Sequence, residues 1–377
     1  MNDIALKILW ADLGKAIAMV LGVAFSTLLM AQQAAIFVCL MGNSASHITA
    51  AQDVDIWIAD ARADYFDDPG AVPAALVDRV KSVPGVAYAA PFIRTSVSLD
   101  SESLVEQGVL IGLDQDSLLG APHAMVEGSL DALRAADAFV VDRRGYGDIW
   151  PEEDIVLGRL LEVDGRLLRL VGIADPPSPF ISMPLIYTSV ATASLVRPGI
   201  APGFVVARAK DGADATAVAA AIADATGYGA FDKEAFSRMT VDYYLKNTGI
   251  PINFFITIAL GFIVGTAIVA QTFYLFVTEN LRHLAVFKAM GATWRQLVSM
   301  TAVQCVIVAA VGFSLGVAGA SWFFETVPAK VPAFKGFYLP AGVALKVGLA
   351  VFAIALLSGV VSIQRAVRLA PAHVLRG

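Results

Sequence analysis

The chain has 377 residues, 57% hydrophobic and 16% charged, with a mean hydropathy of +0.68 and a formal net charge of −6. Soluble domains carry about 25% charged residues, so this balance excludes an ordinary water-soluble enzyme and points to a bilayer. The only cysteines, Cys39 and Cys305, fall in apolar runs, which excludes a disulfide framework or a cysteine-based metal site.

Residues 3–15 intersperse Ile4, Leu6, Ile8, Leu9 and Leu13 with Asp3, Lys7, Asp12 and Lys15. This pattern predicts an amphipathic interfacial helix over 1–15, or a cytoplasmic extension of the span that follows. Ala16–Met41 is the first of four apolar runs; the others are Ile252–Val277, Val298–Phe324 and Val343–Ile363. Each reaches the ~20 residues needed to cross ~30 Å of hydrocarbon as a helix, and Lys346 is the only Asp, Glu, Arg or Lys in them. The first run exceeds the ~7–15 residues of a signal-peptide core, so it reads as a retained helix. Its Gln32 and Gln33 either line a substrate-accessible groove or pair with a neighbouring helix.

Between Gly42 and Pro251 stand 16 Lys+Arg against 29 Asp+Glu, a balance of −13, while the rest of the chain is +7. Arg282, Lys288 and Arg295 follow the second run, and Arg365, Arg368 and Arg376 follow the fourth. Short Lys/Arg-rich segments stay in the cytoplasm, so both termini and the 278–297 segment are expected inside. Residues 42–251 and the short loop 325–342 are then expected outside. The expected fold class is a membrane α-helical protein: four transmembrane helices, with a large extracytoplasmic α+β domain inserted between helices 1 and 2.

That domain opens with a predicted strand Val54–Ala59, a helix Pro73–Ser82, the turn Val83–Val86 and an extended stretch Tyr88–Leu99. It closes with strand Gly203–Ala209, a helix near Ala215–Thr226 and a strand Tyr228–Phe231. These two strand–helix–strand units bracket a β-rich insertion, so two lobes are expected. Within the insertion, Asp164-Gly165 between apolar stretches marks a tight hairpin. Asn247 or Thr248 is a candidate cap for the second span, with Pro251 in its first turn.

No G-x-x-x-x-G-K-[ST] occurs, the nearest fragment being Gly14-Lys15-Ala16, and there is no H-E-x-x-H. The four histidines, His47, His123, His283 and His373, are scattered, so neither a catalytic nor a metal site is expected. Without intramembrane carboxylates an ion-coupled carrier is disfavoured, and any energy must come from a partner. Thr278–Met300 (TENLRHLAVFKAMGATWRQLVSM) predicts a short amphipathic helix to Met290, a stop at Gly291, and a T-x-x-Q capping box at Thr293 and Gln296. It reads as a coupling helix for an ATPase or as a plain connection between spans. G-x-x-x-G pairs Gly261/Gly265 and Gly312/Gly316 are suited to a homodimer seam or to packing within the four helices. Phe323, Phe324, Phe334, Phe337 and Tyr338 suit an interfacial belt, or lateral lipid entry.

One span, a large outer domain and three further spans, with E-x-L-R-x-x-A-V-F-K-A-M-G-A-T from Glu279, resemble the FtsX/MacB-type (type VII) permeases of ABC transporters, most of all the DevC-like branch. Ala24–Gln33, Gly261–Gly265, Val277–Gly291 and Arg365–Arg376 carry the resemblance; Asp53–Ile58 and Asp142–Gly147 (DRRGYG) agree more loosely. The resemblance implies a homodimer in a bacterial inner membrane, working with a separate cytoplasmic ATPase subunit that binds ATP and Mg. It also implies a periplasmic membrane-fusion adaptor and an outer-membrane channel. Glu279, Arg282, His283, Lys288, Met290 and Gly291 then map onto the ATPase-coupling segment. The implied activity is export of an amphiphile such as a lipid, haem or drug by mechanotransmission. The alternatives are an FtsX-like transducer that activates an extracytoplasmic enzyme, and a lipoprotein-extracting permease.

Overall fold

A computed structural model describes residues 13–101, 104–151, 153–177, 183–279, 286, 290–331, 334 and 336–369. Two compact units emerge: Leu40–Thr248, and the flanking segments up to Cys39 and from Gly249 onward.

The flanking unit consists of four long apolar helices: span 1 (Leu13–Asn43), span 2 (Ile250–Glu279), span 3 (Trp294–Thr326) and span 4 (Ala341–Leu369). At about 1.5 Å per residue each is long enough to cross a bilayer. Apart from Leu13–Lys15, which already belong to span 1, the predicted interfacial helix lies outside the described residues. The capping box at the start of span 3 is present, with the Thr293 N–H donating to Gln296 Oε1 at 2.8 Å. Before it, Gly291 turns at φ +95°, left-handed backbone that glycine adopts without strain. The Thr248 hydroxyl donates back to the Tyr244 carbonyl at the end of the preceding helix, and Pro251 enters the first turn of span 2.

The inserted unit starts with a short helix α1 (Ser46–Ala50) and strand β1 (Ile56–Ala59). Helix α2 (Leu76–Lys81) leads to the long strand β2 (Val86–Ser101), and β3 (Leu104–Leu113) and β4 (Met125–Gly128) follow. Strand β5 (Ala138–Asp142) runs straight into α3 (Arg143–Ile149). The hairpin β6 (Leu160–Val163) and β7 (Arg166–Ala174) precedes β8 (Leu185–Ser189) and α4 (Val190–Val196). The unit closes with β9 (Phe204–Ala209), α5 (Ala215–Thr226), β10 (Gly229–Asp232) and α6 (Lys233–Asn247).

Two substructures share β2. Its first half joins the antiparallel order β10-β1-β9-β2, so that β1-α2-β2 and β9-α5-β10 interleave as a ferredoxin-like split βαβ lobe. Its second half joins a closed ring, because β2 pairs β3, β3 pairs β8, β8 pairs β5, β5 pairs β7, β7 pairs β6, and β6 returns to β2. The insertion is therefore a small mixed β-barrel, filled by Ile93, Val97, Leu99, Leu110, Phe139, Val141, Leu161, Val163, Leu168, Leu170 and Ile186. The opposite faces of β3, β5 and β8 (Val109, Ile111, Val140, Leu185, Tyr187) share a second core with Trp57, Phe66, Phe92, Phe204 and Phe236. The predicted hairpin turn holds Asp164 at φ 46° and Gly165 at φ 84°, the backbone of a type I′ turn.

The DRRGYG segment has a structural role. Asp142 caps α3, accepting from Gly145 N–H at 3.1 Å, and also accepts from Leu185 N–H at 2.7 Å, which stitches β5 to β8. Burial pushes its carboxyl up to about 6 against the opposing pull of those two donors. Gly145 has to be glycine here, since a Cβ would come within 2.9 Å of Pro184 Cα. Asp142→Ala orphans two buried N–H groups and is expected to cost about 2 kcal/mol, read as a lowered thermal midpoint of the full chain, with Asp142→Asn costing less.

Candidate transmission site

Each unit holds its own candidate features: in the helical unit, the glycines of the spans and the charged ends of spans 1 and 2; in the inserted unit, the polar cluster where that unit begins and ends. Span 1 lies between spans 2 and 3. On one side, Ser26 Oγ donates to the Gly261 carbonyl at 3.0 Å, a Cβ on Gly265 would collide with Ser26 Oγ, and Phe37 meets Phe254 at 5.5 Å between ring centroids. On the other, a Cβ on Gly312 would lie 2.6 Å from Val23 Cβ, and one on Gly316 would lie 2.5 Å from Thr27 Cβ and 2.6 Å from the Ala24 carbonyl oxygen. Missing side chains let helix backbones approach this closely. Both G-x-x-x-G pairs therefore face span 1 of the same chain. Span 4 closes the set against spans 2 and 3, with Gly359 against Cys305 and Gly348 against Phe313.

Gln32 and Gln33 are both half-buried on span 1. The aromatic cluster is assembled, with Phe323 meeting Phe324 at 5.2 Å and Phe334 at 5.7 Å, and Phe334 meeting Phe337 at 5.6 Å. Tyr338 is exposed, and its carbonyl accepts from the Cys39 thiol at 3.4 Å.

At the N-terminal end of span 1 and the C-terminal end of span 2, Lys15 and Glu279 form an ion pair. Met290 and Gly291 are exposed, while Arg282, His283 and Lys288 lie outside the described residues. Sequence reasoning missed the Lys15–Glu279 pair, because 264 positions separate its members and no local pattern joins them.

In the inserted unit, α1 follows span 1 in sequence and α6 precedes span 2, and the two helices pack together. Lys233 Nζ of α6 donates to the Ala51 carbonyl at 3.0 Å. Asp67 accepts from Tyr244 of α6 and pairs with Arg94 of β2, while Phe66 N–H donates to Thr240 Oγ1 at 3.2 Å. His47 of α1 stacks on Phe66 at 5.4 Å. Burial, reinforced by the Arg94 charge and opposed by Asp67, lowers its imidazole to about 4, so it is neutral at physiological pH. Both chain connections of this unit are thus fastened to one cluster. The cavity beside it, lined by Ser46, His47, Pro122 and Tyr187, measures about 10 Å³. That is room for one water and far below the ~300 Å³ of a typical ligand pocket, so it is not a cargo site.

Residues 16–225 match the family model described as the MacB-like periplasmic core domain, and residues 254–371 match the FtsX-like permease C-terminal model. The chain belongs to the FtsX/MacB-type permeases. Its inserted α+β unit is accordingly the extracytoplasmic domain of this permease type. Among curated proteins, an uncharacterised ABC transporter permease of Mycobacterium tuberculosis is 26% identical over 226 residues, 59% of this chain and 58% of the relative. The macrolide export ATP-binding/permease protein MacB of Agrobacterium fabrum is 23% identical over 274 residues, 69% of this chain and 42% of that protein. The chain thus spans little more than half the length of the mycobacterial relative, and less of MacB. Two solved structures are also similar. The periplasmic region of MacB from Actinobacillus actinomycetemcomitans has TM-score 0.40 and 15% identity, covering 53% of this chain and 96% of that one. The extracellular domain of the transporter YknZ from Gram-positive bacteria has TM-score 0.37 and 11% identity, covering 48% and 98%.

Proposed function

We propose that this permease is the membrane subunit of an ABC exporter that works by mechanotransmission. It acts as a homodimer in a bacterial inner membrane with both termini cytoplasmic, and a separate cytoplasmic ATPase subunit binds ATP and Mg. Closure of the ATPase pair pushes on the segment after span 2, where Arg282, His283, Lys288, Met290 and Gly291 form the docking surface. The push reaches the extracytoplasmic domain through the spans.

The observation that carries this reading is the position of span 1, held on both sides by glycine contacts from spans 2 and 3. Such a close-packed set relays displacement, and without an intramembrane carboxylate it lacks the usual means of harnessing an ion gradient. A cargo drawn from the membrane or periplasm is an amphiphile, in keeping with the macrolide-export name of the Agrobacterium relative. The barrel lobe offers a docking surface for a periplasmic membrane-fusion adaptor leading to an outer-membrane channel, as in the DevC-like branch.

The test is the double variant Arg282→Glu/Lys288→Glu, reconstituted with the co-purified ATPase. At least a tenfold loss of permease-stimulated ATP hydrolysis is expected, with insertion and thermal stability unchanged. Undiminished stimulation would sink the docking assignment.

A further inference from the structure

We propose that Glu279 is a positioning residue whose partner is Lys15 of the same chain, not the ATPase, and that this pair makes the inner ends of spans 1 and 2 move together. The proposal rests on the coupling reading above and reassigns one of its residues.

Lys15 is the last charged residue before the uncharged stretch of span 1, and Glu279 is the first charged residue after that of span 2. The contacts between these antiparallel helices advance in step, from Phe37 with Phe254, through Ser26 with Gly261, to Gly22, where a Cβ would lie 2.6 Å from Ile268 Cγ2. Continuing that register toward the inner end brings Lys15 to Glu279, where the two side chains pair. Lys15 lies seven residues, about two helical turns or ~10 Å, beyond Gly22, the innermost of those apolar contacts.

Over those two turns Met19 is fully buried and Ala16 packs in the same apolar core as Phe273 and Val277, and the ion pair adds a polar tie at the end of that seam. Its position matters because Glu279 ends span 2 and is followed in sequence by the coupling segment, while span 1 leads by chain connection into the extracytoplasmic domain. A push arriving at Glu279 enters span 2 directly and is passed to span 1 at the same level. The side chains are 32% and 52% exposed, so solvent screens the pair and its effect is modest.

The test uses the full chain with its co-purified ATPase in lipid nanodiscs and the variants Lys15→Glu, Glu279→Lys and the double swap. Two readouts are taken, permease-stimulated ATP hydrolysis and the thermal midpoint. Each single reversal is expected to lower stimulated hydrolysis roughly two- to fivefold, from the scale of such pairs plus the like-charge repulsion it creates, and the swap to restore it. If Lys15→Glu has no effect while Glu279→Lys and the swap are equally impaired, Glu279 contacts the ATPase and the proposal is overturned. If the singles and the swap change only the thermal midpoint, the pair merely holds the fold, which also overturns it. Failure of the coupling reading itself shows up separately, as undiminished hydrolysis in Arg282→Glu/Lys288→Glu.

Discussion

Gly316→Leu is expected to yield almost no folded permease. A Cβ at this position already lies 2.5 Å from Thr27 Cβ and 2.6 Å from the Ala24 carbonyl oxygen, and the second of these is backbone that no rotamer change can move aside. Span 1 cannot retreat either, because Ser26 on its other side is in contact with Gly261 and Gly265. Overpacking by a methyl group alone costs about 1–3 kcal/mol, and a leucine adds three more carbons to the same gap. Gly342→Leu is the control, since nothing lies within 4 Å of a Cβ there. Yield of monodisperse protein in detergent and its thermal midpoint are the measurements. A Gly316→Leu chain as stable as the Gly342→Leu chain would mean that the seam between spans 1 and 3 does not exist.

The second large effect is expected in the extracytoplasmic domain. Trp57 is fully buried, with the rings of Phe66, Phe92, Phe204 and Phe236 at 5.3–5.9 Å between centroids. It sits in the core shared by the split βαβ lobe and the outer face of the barrel. Trp57→Ala opens a cavity there and is expected to cost about 3–5 kcal/mol, with a fall of roughly 10 °C or more in the domain's thermal midpoint. Trp57→Phe should cost less, because it keeps an aromatic ring and removes an indole N–H that has no hydrogen-bond partner. Hydrogen exchange on the full chain would localise the loss to β1 and β9. An alanine variant with wild-type protection in those strands would contradict this account of the core.

What could be read from the sequence depended on how local the cause was. The Asp164-Gly165 turn, the Thr293/Gln296 capping box and the left-handed turn at Gly291 each depend on a few adjacent residues, and each is present. Helix α5, predicted near Ala215–Thr226, spans that range, set by Asp214 as N-cap and left-handed Gly227 at its end. Helix α6 went unread because its buried stripe is Phe236, Thr240 and Tyr244, with no aliphatic residue in it. Its available signal was Asp232, whose side chain accepts from Ala235 N–H at 2.8 Å as an N-cap.

Barrel closure left no trace in periodicity. Strands β5 and β8 are buried on both faces, so the alternation that distinguishes inside from outside is missing, and strand order depends on pairings distant in sequence. For the glycine pairs, spacing announced close packing but not against what, and the facing residues Val23, Ser26 and Thr27 lie hundreds of positions away. The same separation hid the Lys15–Glu279 pair.

The central claim, that this chain transmits motion generated elsewhere, is tested most directly by the distance between two copies of its extracytoplasmic domain. A spin label at Ser194→Cys, exposed on α4, reports that distance in nanodiscs holding the permease with its ATPase, and both native cysteines are buried. The account predicts that ATP with Mg shifts the distance distribution in the parent chain and leaves it unchanged in Arg282→Glu/Lys288→Glu. A distribution that stays fixed during ATP turnover, or one that shifts equally in that variant, would contradict it.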